Sequence, residues 1–179
     1  PRELQIYDID SVVIGNAAKC VREKAPDLSW VYLWYTDDAF HITGYSTFSE
    51  DYLKREDRML RQIWDAIKYR EKNFDEEWLL IVTTDHGREE HGFNHGGQST
   101  GERGVWMVSN RRDMNAEWGS NSLSQVDINP SICRYLGFTV PRDVEWEQDG
   151  IPFFGNADIC NLTTTGFDNK VILKWQTLT

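Results

Sequence analysis

Cysteine, positive charge and long apolar runs are all scarce in this sequence. The three cysteines, Cys20, Cys133 and Cys160, are too few and too scattered for a disulfide framework, and none has the CxxC spacing of a thiolate metal site. We interpret them as small buried residues. The 19 basic residues against 29 acidic ones give a net charge of -10, which argues against binding to duplex nucleic acid or to an anionic membrane. No run of about 18 apolar residues occurs, so we predict no membrane span.

What is present is the composition of an ordinary globular domain. Of the 179 residues, 40% are hydrophobic and 13% are aromatic, enough for a core that buries roughly 70% of the surface of the unfolded chain. No internal repeat, linker or low-complexity segment interrupts the sequence, so we predict one domain over residues 1–179. Pro1 is not an initiator methionine and no charged-then-apolar leader follows it, so we expect a processed chain or a segment of a longer one.

The stretch 79–97 is the centre of the functional prediction. Residues 79–82 are apolar and rich in β-branched side chains, which is typical of a buried strand in a parallel sheet. The strand is followed at once by Asp85 and His86, and in open α/β sheets ligands bind beyond the carboxyl ends of the strands. Three of the four histidines lie within residues 86–95. We therefore expect chemistry at this end of the strand.

A second predicted strand ends in the same residue types. Residues 28–35 form a β-rich run, and the polar stretch after it contains Asp37 and His41. Ser49 is placed to cap a helix that runs to about residue 69, and a strand over residues 78–84 follows. This strand–helix–strand unit predicts a right-handed crossover. Two strands thus deliver Asp and His at their carboxyl ends.

The remaining elements are predicted from local patterns. Apolar periodicity predicts a helix over residues 12–24, preceded by either a short strand or an ordered tail at residues 3–7. Pro130 in the first turn and Gly137 at the end predict a helix over residues 126–137. The others are a strand over 105–109, a polar loop over 111–121, a segment closed by Pro141, a loop over 145–155, and a strand over 170–175 paired with 159–163.

Five residues at the two strand ends are candidate metal ligands. Carboxylate oxygen and imidazole nitrogen suit zinc and its neighbours, and five ligands are too many for one closed tetrahedral site, so two metals are indicated. Taken singly, each residue also has an ordinary interpretation, such as a turn residue or a solvated loop histidine. The five are Asp37, His41, Asp85, His86 and His95.

Four motifs follow one another in a recognisable order. They are Asp37-Asp38-Ala39-Phe40-His41-Ile42-Thr43-Gly44, Thr84-Asp85-His86-Gly87, His95-Gly96-Gly97, and Val126-Asp127-Ile128-Asn129-Pro130 with Leu136-Gly137 and Pro141. Over residues 28–155 this order resembles the alkaline phosphatase superfamily, closest to its nucleotide pyrophosphatase/phosphodiesterase branch. The resemblance implies an α/β fold, an alkaline phosphatase-like sandwich with a mostly parallel central sheet flanked by helices, present here as its C-terminal part.

The resemblance also implies a function and assigns the five candidate ligands to two metal ions. It implies a metal-dependent hydrolase of small phosphate esters, either a phosphodiesterase/nucleotide pyrophosphatase or a phosphatase, with two divalent ions, usually Zn²⁺. Asp37, His41 and His95 match the ligands of one metal, while Asp85 and His86 match two ligands of the second. Asp38 and His91 have no matching role. A periplasmic or extracellular location is favoured by the same resemblance.

The sequence departs from the family in two places. Phe40 stands where the branch usually has Gly, just before the histidine. The family's first metal-binding Asp and its Thr or Ser nucleophile belong N-terminal to everything seen here, and Asp8 and Asp10 lack the features of that motif. We therefore expect the nucleophile upstream of Pro1, in the N-terminal half of the same enzyme. Candidate substrate contacts are Arg88, Asn94, Gln98, Ser99 and Arg103.

Two other functions remain open. A sulfatase has the same fold, but it would normally use one calcium ion and a modified Cys or Ser nucleophile, whereas Cys20 and Cys133 lie in predicted helices. A non-catalytic metal-binding or interaction domain is the third possibility. Elemental analysis distinguishes the three, because they predict two zinc ions, one calcium ion and no metal, respectively.

We predict that residues 1–179 alone hydrolyse phosphate esters only weakly. Loss of an activated nucleophile commonly costs several powers of ten in rate, and Asp85 and His86 alone would hold the second metal weakly. The measurement is turnover of bis(p-nitrophenyl) phosphate and p-nitrophenyl phosphate by the zinc-loaded chain beside the longer protein. Equal rates would place the nucleophile within these residues.

Overall fold

The computed structural model describes residues 2–119, 123–156 and 159–177. It divides into two compact units, Pro1–Ser109 and Asn110–Thr179, which are described one at a time. Within the described residues, every helix is too short or too polar to cross a membrane. The single domain over residues 1–179 stays a prediction.

Six elements build the first unit. They are helices α1 (Arg2–Lys24), α2 (Tyr35–Thr43) and α3 (Thr47–Phe74), strand β1 (Ile81–Thr83), helix α4 (Thr100–Arg103) and strand β2 (Met107–Ser109). The predicted helix over residues 12–24 is therefore part of a longer one, and the strand or tail expected at residues 3–7 is its first turns. The strands predicted at 78–84 and 105–109 are shorter than expected.

The core of the first unit lies where α1 and α3 pack on each other. Each helix contributes apolar residues at helical spacing, and the ring of Tyr35 from α2 lies between Tyr7 and Tyr52 at centroid distances of 5.1 and 5.3 Å. Tyr35 is only 1% exposed, so the start of α2 is anchored in this core. The buried core residues are Ile6, Ile14, Val21, Tyr35, Met59, Ile63, Ala66 and Ile67.

The first turn of α2 is held by a carboxylate from another helix. Trp34, the N-cap residue, makes no side-chain cap. Instead, Oδ2 of the buried Asp10 accepts hydrogen bonds from the backbone N–H groups of Trp34 at 2.7 Å and Tyr35 at 2.6 Å. A negative charge at this end also suits the helix dipole. The cap explains why residues 37–41, predicted as a loop, are helical.

The prediction of a strand over residues 28–35 is wrong. The segment before Tyr35 has no assigned secondary structure, although its side chains alternate as in a strand: Val31 and Leu33 pack against the core while Trp30 and Tyr32 are exposed. A strand also needs a paired neighbour, and in the described residues β1 pairs only with β2. Without a first strand, the predicted strand–helix–strand unit is not formed.

The predicted mostly parallel central sheet is also not seen in the part of the chain that the structure describes. β1 and β2 run antiparallel, with Val82 opposite Val108. They are joined by residues 84–106, which include the short helix α4. What the described residues retain of the expected fold is its α/β content.

The start of α3 differs from the prediction in its cap. Ser46, not Ser49, is the N-cap residue, and the two serines form a reciprocal capping box: Ser46 Oγ accepts from Ser49 N at 3.3 Å, and Ser49 Oγ accepts from Ser46 N at 3.0 Å. The helix continues to Phe74, beyond the predicted end, and Asp75 follows in the left-handed conformation.

The second unit contains two short helices and a hairpin. Its elements are 3₁₀ turns at Ala116–Gly119 and Gln125–Asp127, helices α5 (Ile128–Tyr135) and α6 (Arg142–Glu147), and strands β3 (Ile159–Phe167) and β4 (Lys170–Thr177). The antiparallel pairing of β3 with β4 confirms the predicted late strands. Gly137, with φ of 72°, ends the helix as predicted. Pro141, predicted to close the segment after this helix, is the N-cap residue of α6.

Buried polar contacts organise this second unit. Burial raises the pKa of the Asp127 carboxyl, whose oxygens accept from the backbone N–H groups of Ser124 at 2.6 Å and Ile151 at 2.7 Å. Ser131 Oγ accepts from the N–H of Phe153 at 2.9 Å. These contacts join α5 to residues 151–153, so the motif at Asp127 serves the packing of this unit.

Replacing Asp10 by Ala should destabilise the chain by about 1–3 kcal/mol, because two N–H groups at the start of α2 lose their buried acceptor. The measurement is urea denaturation followed by tryptophan fluorescence. Asp8→Ala, on the exposed face of the same helix, is the matched control and should unfold like the wild type. Equal midpoints for both variants would show that the Asp10 cap does not stabilise α2.

Candidate metal centre

Helix α2 brings the first two candidate ligands together. Asp37 and His41 are four residues apart, so they lie on the same helix face, and His41 Nε2 is 3.6 Å from Asp37 Oδ2. Both side chains are partly exposed. The next residue, Asp38, is buried and points elsewhere on the helix. The structure thus places Asp37, rather than Asp38, beside the histidines.

The loop that carries His95 is held by one carboxylate. Glu89 accepts hydrogen bonds from the backbone N–H groups of His91 at 3.0 Å, Phe93 at 2.9 Å and Asn94 at 3.3 Å. These hydrogen bonds hold the pKa of the Glu89 carboxyl below its usual value. The loop is also joined to the end of α2, because the carbonyl of His91 accepts from Tyr45 N at 2.9 Å.

Two glycines permit this close approach of loop and helix. Gly44 has φ of 56°, and a side chain there would lie 2.6 Å from the carbonyl oxygen of His91. Gly92 has φ of 82°, and a side chain there would lie 2.7 Å from the backbone nitrogen of Tyr45. Because of the positive φ and the close contact at each position, any residue other than glycine would require a shift of the backbone.

The atoms of Asp37, His41 and His95 fit one metal ion. His41 Nε2 lies 3.1 Å from His95 Nε2, and His95 Nε2 lies 3.4 Å from Asp37 Oδ1. Tetrahedral zinc with ligands at about 2.1 Å requires about 3.4 Å between ligand atoms. One ligand atom from each residue lies within 4.8 Å of the others. The three side chains can therefore converge on one ion with only small movements.

His86 and Asp85 lie beside this cluster. The His86 ring stacks on the His95 ring at a centroid distance of 3.8 Å, and its Nε2 is 3.9 Å from Asp37 Oδ1 and 3.5 Å from Asp85 Oδ1. Its Nδ1 is 2.9 Å from the carbonyl of Gly87, a contact that leaves Nε2 free to act as a ligand when Nδ1 carries the proton. The two residues that the family resemblance implies for a second metal thus lie beside the first group, and their role as ligands stays a prediction.

The protonation of His95 suits metal binding. Burial lowers the pKa of His95, and the neighbouring His86 lowers it further, while the carboxylate of Asp37 opposes both. A lowered pKa keeps the imidazole neutral at physiological pH, and neutral imidazole is the form that binds metals. Tyr32 is at the edge of the site, with its hydroxyl 3.4 Å from Asp85 Oδ2.

His91 lies outside the cluster. It is exposed, and its described hydrogen bonds are made by its backbone to Glu89 and Tyr45. The two residues after His95 have backbone roles. Gly96 has φ of 102°, a conformation that favours glycine, and Gly97 donates its N–H to Glu102 at 2.8 Å.

One proposed substrate contact has a structural role instead. Ser99 caps α4 in a reciprocal box, because Ser99 Oγ accepts from Glu102 N and Glu102 Oε2 accepts from Ser99 N, both at 3.2 Å. Ser99 Oγ also donates to the Glu102 carboxylate at 2.6 Å. That hydrogen bond is the main cause of the lowered pKa of Glu102. Asn94, Gln98 and Arg103 are exposed, and their contact with a substrate remains a prediction.

Three functional residues were missed or misassigned by sequence reasoning. Glu89 and Glu102 hold the loop on either side of His95, and Arg88 is buried against Asp37. A signal was available for the Ser99–Glu102 pair, because Ser-x-x-Glu is the capping-box pattern. For Arg88 the only sequence signal was its position two residues after His86, and its burial depends on tertiary packing.

Comparisons with known proteins support the family resemblance. The family model for type I phosphodiesterase / nucleotide pyrophosphatase matches residues 5–101. A GPI ethanolamine phosphate transferase 3 from Eremothecium gossypii is 29% identical over 161 residues, and the match covers 77% of this chain. The chain spans 15% of the length of that relative. No solved structure matches significantly.

Replacing Glu89 by Gln should destabilise the chain near neutral pH, because the charged acceptor of three N–H groups is lost. A carboxyl whose pKa is lowered by folding stabilises the fold at pH values above its unfolded pKa of 4.5. That contribution is lost as the pH falls through the pKa of the folded state. The difference between wild type and variant should therefore be largest at pH 6–7 and should shrink below about pH 4.5. Urea denaturation across this range is the measurement. Glu90→Gln, at the exposed next position, is the control, and a pH-independent difference would contradict the assignment.

Proposed function

The chain belongs to the type I phosphodiesterase / nucleotide pyrophosphatase family, and on that premise we propose that it carries most of a two-metal centre that hydrolyses phosphate esters. The observation that supports the proposal is the convergence of Asp37, His41 and His95, with donor atoms within 4.8 Å of one another. One further carboxylate and one further imidazole, from Asp85 and His86, lie next to this group.

The ligand types favour zinc as the resident metal. Zinc takes nitrogen and oxygen ligands in tetrahedral sites, whereas calcium takes six to eight oxygens. Asp37, His41 and His95 offer two nitrogens and one carboxylate, which is a poor calcium set. This donor chemistry favours the phosphate-ester hydrolase over the sulfatase with a single calcium ion.

The chain's own residues would bind the metal ions. Asp37, His41 and His95 would hold one ion, and Asp85 with His86 would supply two ligands of the second ion. When bound, such ions polarise phosphoryl oxygens and stabilise the charge that develops on the attacking and leaving oxygens. The nucleophile and a further carboxylate ligand would come from the N-terminal half of the same enzyme, as the motif order predicts.

Phosphate transfer is a second candidate, because the relative is named as a phosphate transferase. Hydrolysis and transfer share the same phosphoester chemistry and differ in the acceptor, which is water in one and an alcohol in the other. The distinguishing measurement uses the longer protein and a phosphodiester substrate, with and without ethanol or glycerol as acceptor. Formation of a phosphomonoester and a free alcohol, in amounts that do not change with the added acceptor, supports a hydrolase, and a new phosphodiester of the added alcohol as main product supports a transferase.

Replacing His95 by Ala should lower zinc content and zinc affinity by at least tenfold, because one of three converging ligands is lost. His91→Ala removes an exposed histidine of the same loop and should bind zinc like the wild type. The measurements are elemental analysis of the purified chain and isothermal titration with zinc. Asp37→Asn should behave like His95→Ala.

The same measurements separate the competing functions. The proposal is supported if the wild type contains zinc and the His95→Ala and Asp37→Asn variants lose it. One calcium ion per chain would favour the sulfatase, and absence of any bound metal would favour a non-catalytic interaction domain. Loss of zinc in His91→Ala, with His95→Ala unchanged, would show that the wrong histidine has been assigned.

A further inference from the structure

Arg88 is a buried cation next to the candidate metal centre. Its side chain is 8% exposed, and burial lowers the pKa of its guanidinium, which nevertheless stays charged, as arginine does in proteins. A buried charge is stable only when it is paired and hydrogen-bonded. Its paired anion is Asp37, the residue that the centre would use as a ligand.

The guanidinium joins the two segments that carry the ligands. Nη2 donates to Asp37 Oδ1 and, at 2.8 Å, to the carbonyl of the same residue on α2. Nη1 donates to the carbonyls of Gly92 and Phe93, both at 3.3 Å, in the loop that leads to His95. The ring of Phe40 lies 5.3 Å from the guanidinium carbon. One side chain thus connects α2 with the His95 loop.

We propose that Arg88 is a positioning residue that orients the Asp37 carboxylate for metal binding. It holds Oδ1, the oxygen that lies 3.4 Å from His95 Nε2, and thereby sets the position of Oδ2, which lies 3.6 Å from His41 Nε2. Its planar group directs Nη2 at the carboxylate and carbonyl of Asp37 and Nη1 at the carbonyls of Gly92 and Phe93, a fixed set of directions that a single ammonium group does not supply. This inference rests on the proposed metal centre and deepens it.

The proposal predicts an effect whose sign differs from that of simple electrostatics. A cation beside a cation site opposes metal binding, so removal of the Arg88 charge by itself would strengthen zinc binding. Loss of a group that orients a ligand weakens binding, typically by 10–100-fold. The direction of the change in zinc affinity therefore tells whether Arg88 acts as a charge or as a positioning group.

The test compares Arg88→Met and Arg88→Lys with the wild-type chain. Both variants should bind zinc about 10–100-fold more weakly by isothermal titration, although Arg88→Lys keeps the charge. In cobalt-loaded protein both should also change the visible absorption spectrum, because release of Oδ1 alters the coordination of the ion. Circular dichroism and thermal melting of the metal-free proteins report whether the fold is retained.

Arg61 provides the matched controls. It donates to Asp65 at 2.7 Å on the exposed face of α3, so it forms the same kind of Arg–Asp pair away from the centre. Arg61→Met and Arg61→Lys should bind zinc and cobalt as the wild type does.

Each other outcome overturns the inference. Zinc affinity of Arg88→Met equal to or higher than that of the wild type would show that Arg88 acts only through its charge or not at all. Metal-free unfolding of both Arg88 variants would make Arg88 a folding residue rather than a positioning one. If the wild-type chain binds no zinc, the proposed metal centre itself is overturned. If the wild type and the Arg88 variants bind zinc equally, only the inference about Arg88 is overturned.

Discussion

The carboxylate of Asp37 is the interaction on which the candidate site depends. It lies between a buried guanidinium and the imidazole groups of His41, His86 and His95, all within 3.9 Å of one of its oxygens. The charge of Arg88 needs an anion, and the histidines need a shared oxygen if they are to bind a metal. One carboxylate meets both requirements, so the position of α2 controls the geometry of the whole cluster.

The rest of the first unit keeps α2 in that position. Asp10 of α1 accepts from the first N–H groups of α2, and Tyr35 fills the space between α1 and α3. At the other end of α2, Gly44 allows the chain to pass within contact distance of the His95 loop. A helix of nine residues is marginal by itself in water. Contacts at both ends therefore stabilise it and orient its two ligands.

The electrostatics of the site are consistent with a metal in an acidic protein. The chain has a net charge of -10, and a phosphate ester is an anion, so a bound divalent cation would reverse the local potential where the substrate binds. Arg88 is too buried and too fully bonded to carry out this role alone. Family membership and the converging histidines point to the same phosphoester chemistry, and the choice between water and an alcohol as acceptor depends on groups that contact the substrate.

The sequence by itself determined the family, the candidate ligands and helices α1, α3 and α5, because residue types and short spacings carry that information. The apolar periodicity of α3 is local to its own sequence, and Gly137 ends α5 wherever the unit packs. Only the tertiary structure decided that residues 28–34 form no strand, that β1 pairs antiparallel with β2, and that Arg88 and Asp10 hold α2. The physical reason is that pairing of strands and burial of a charge depend on partners distant in sequence, which no local pattern specifies.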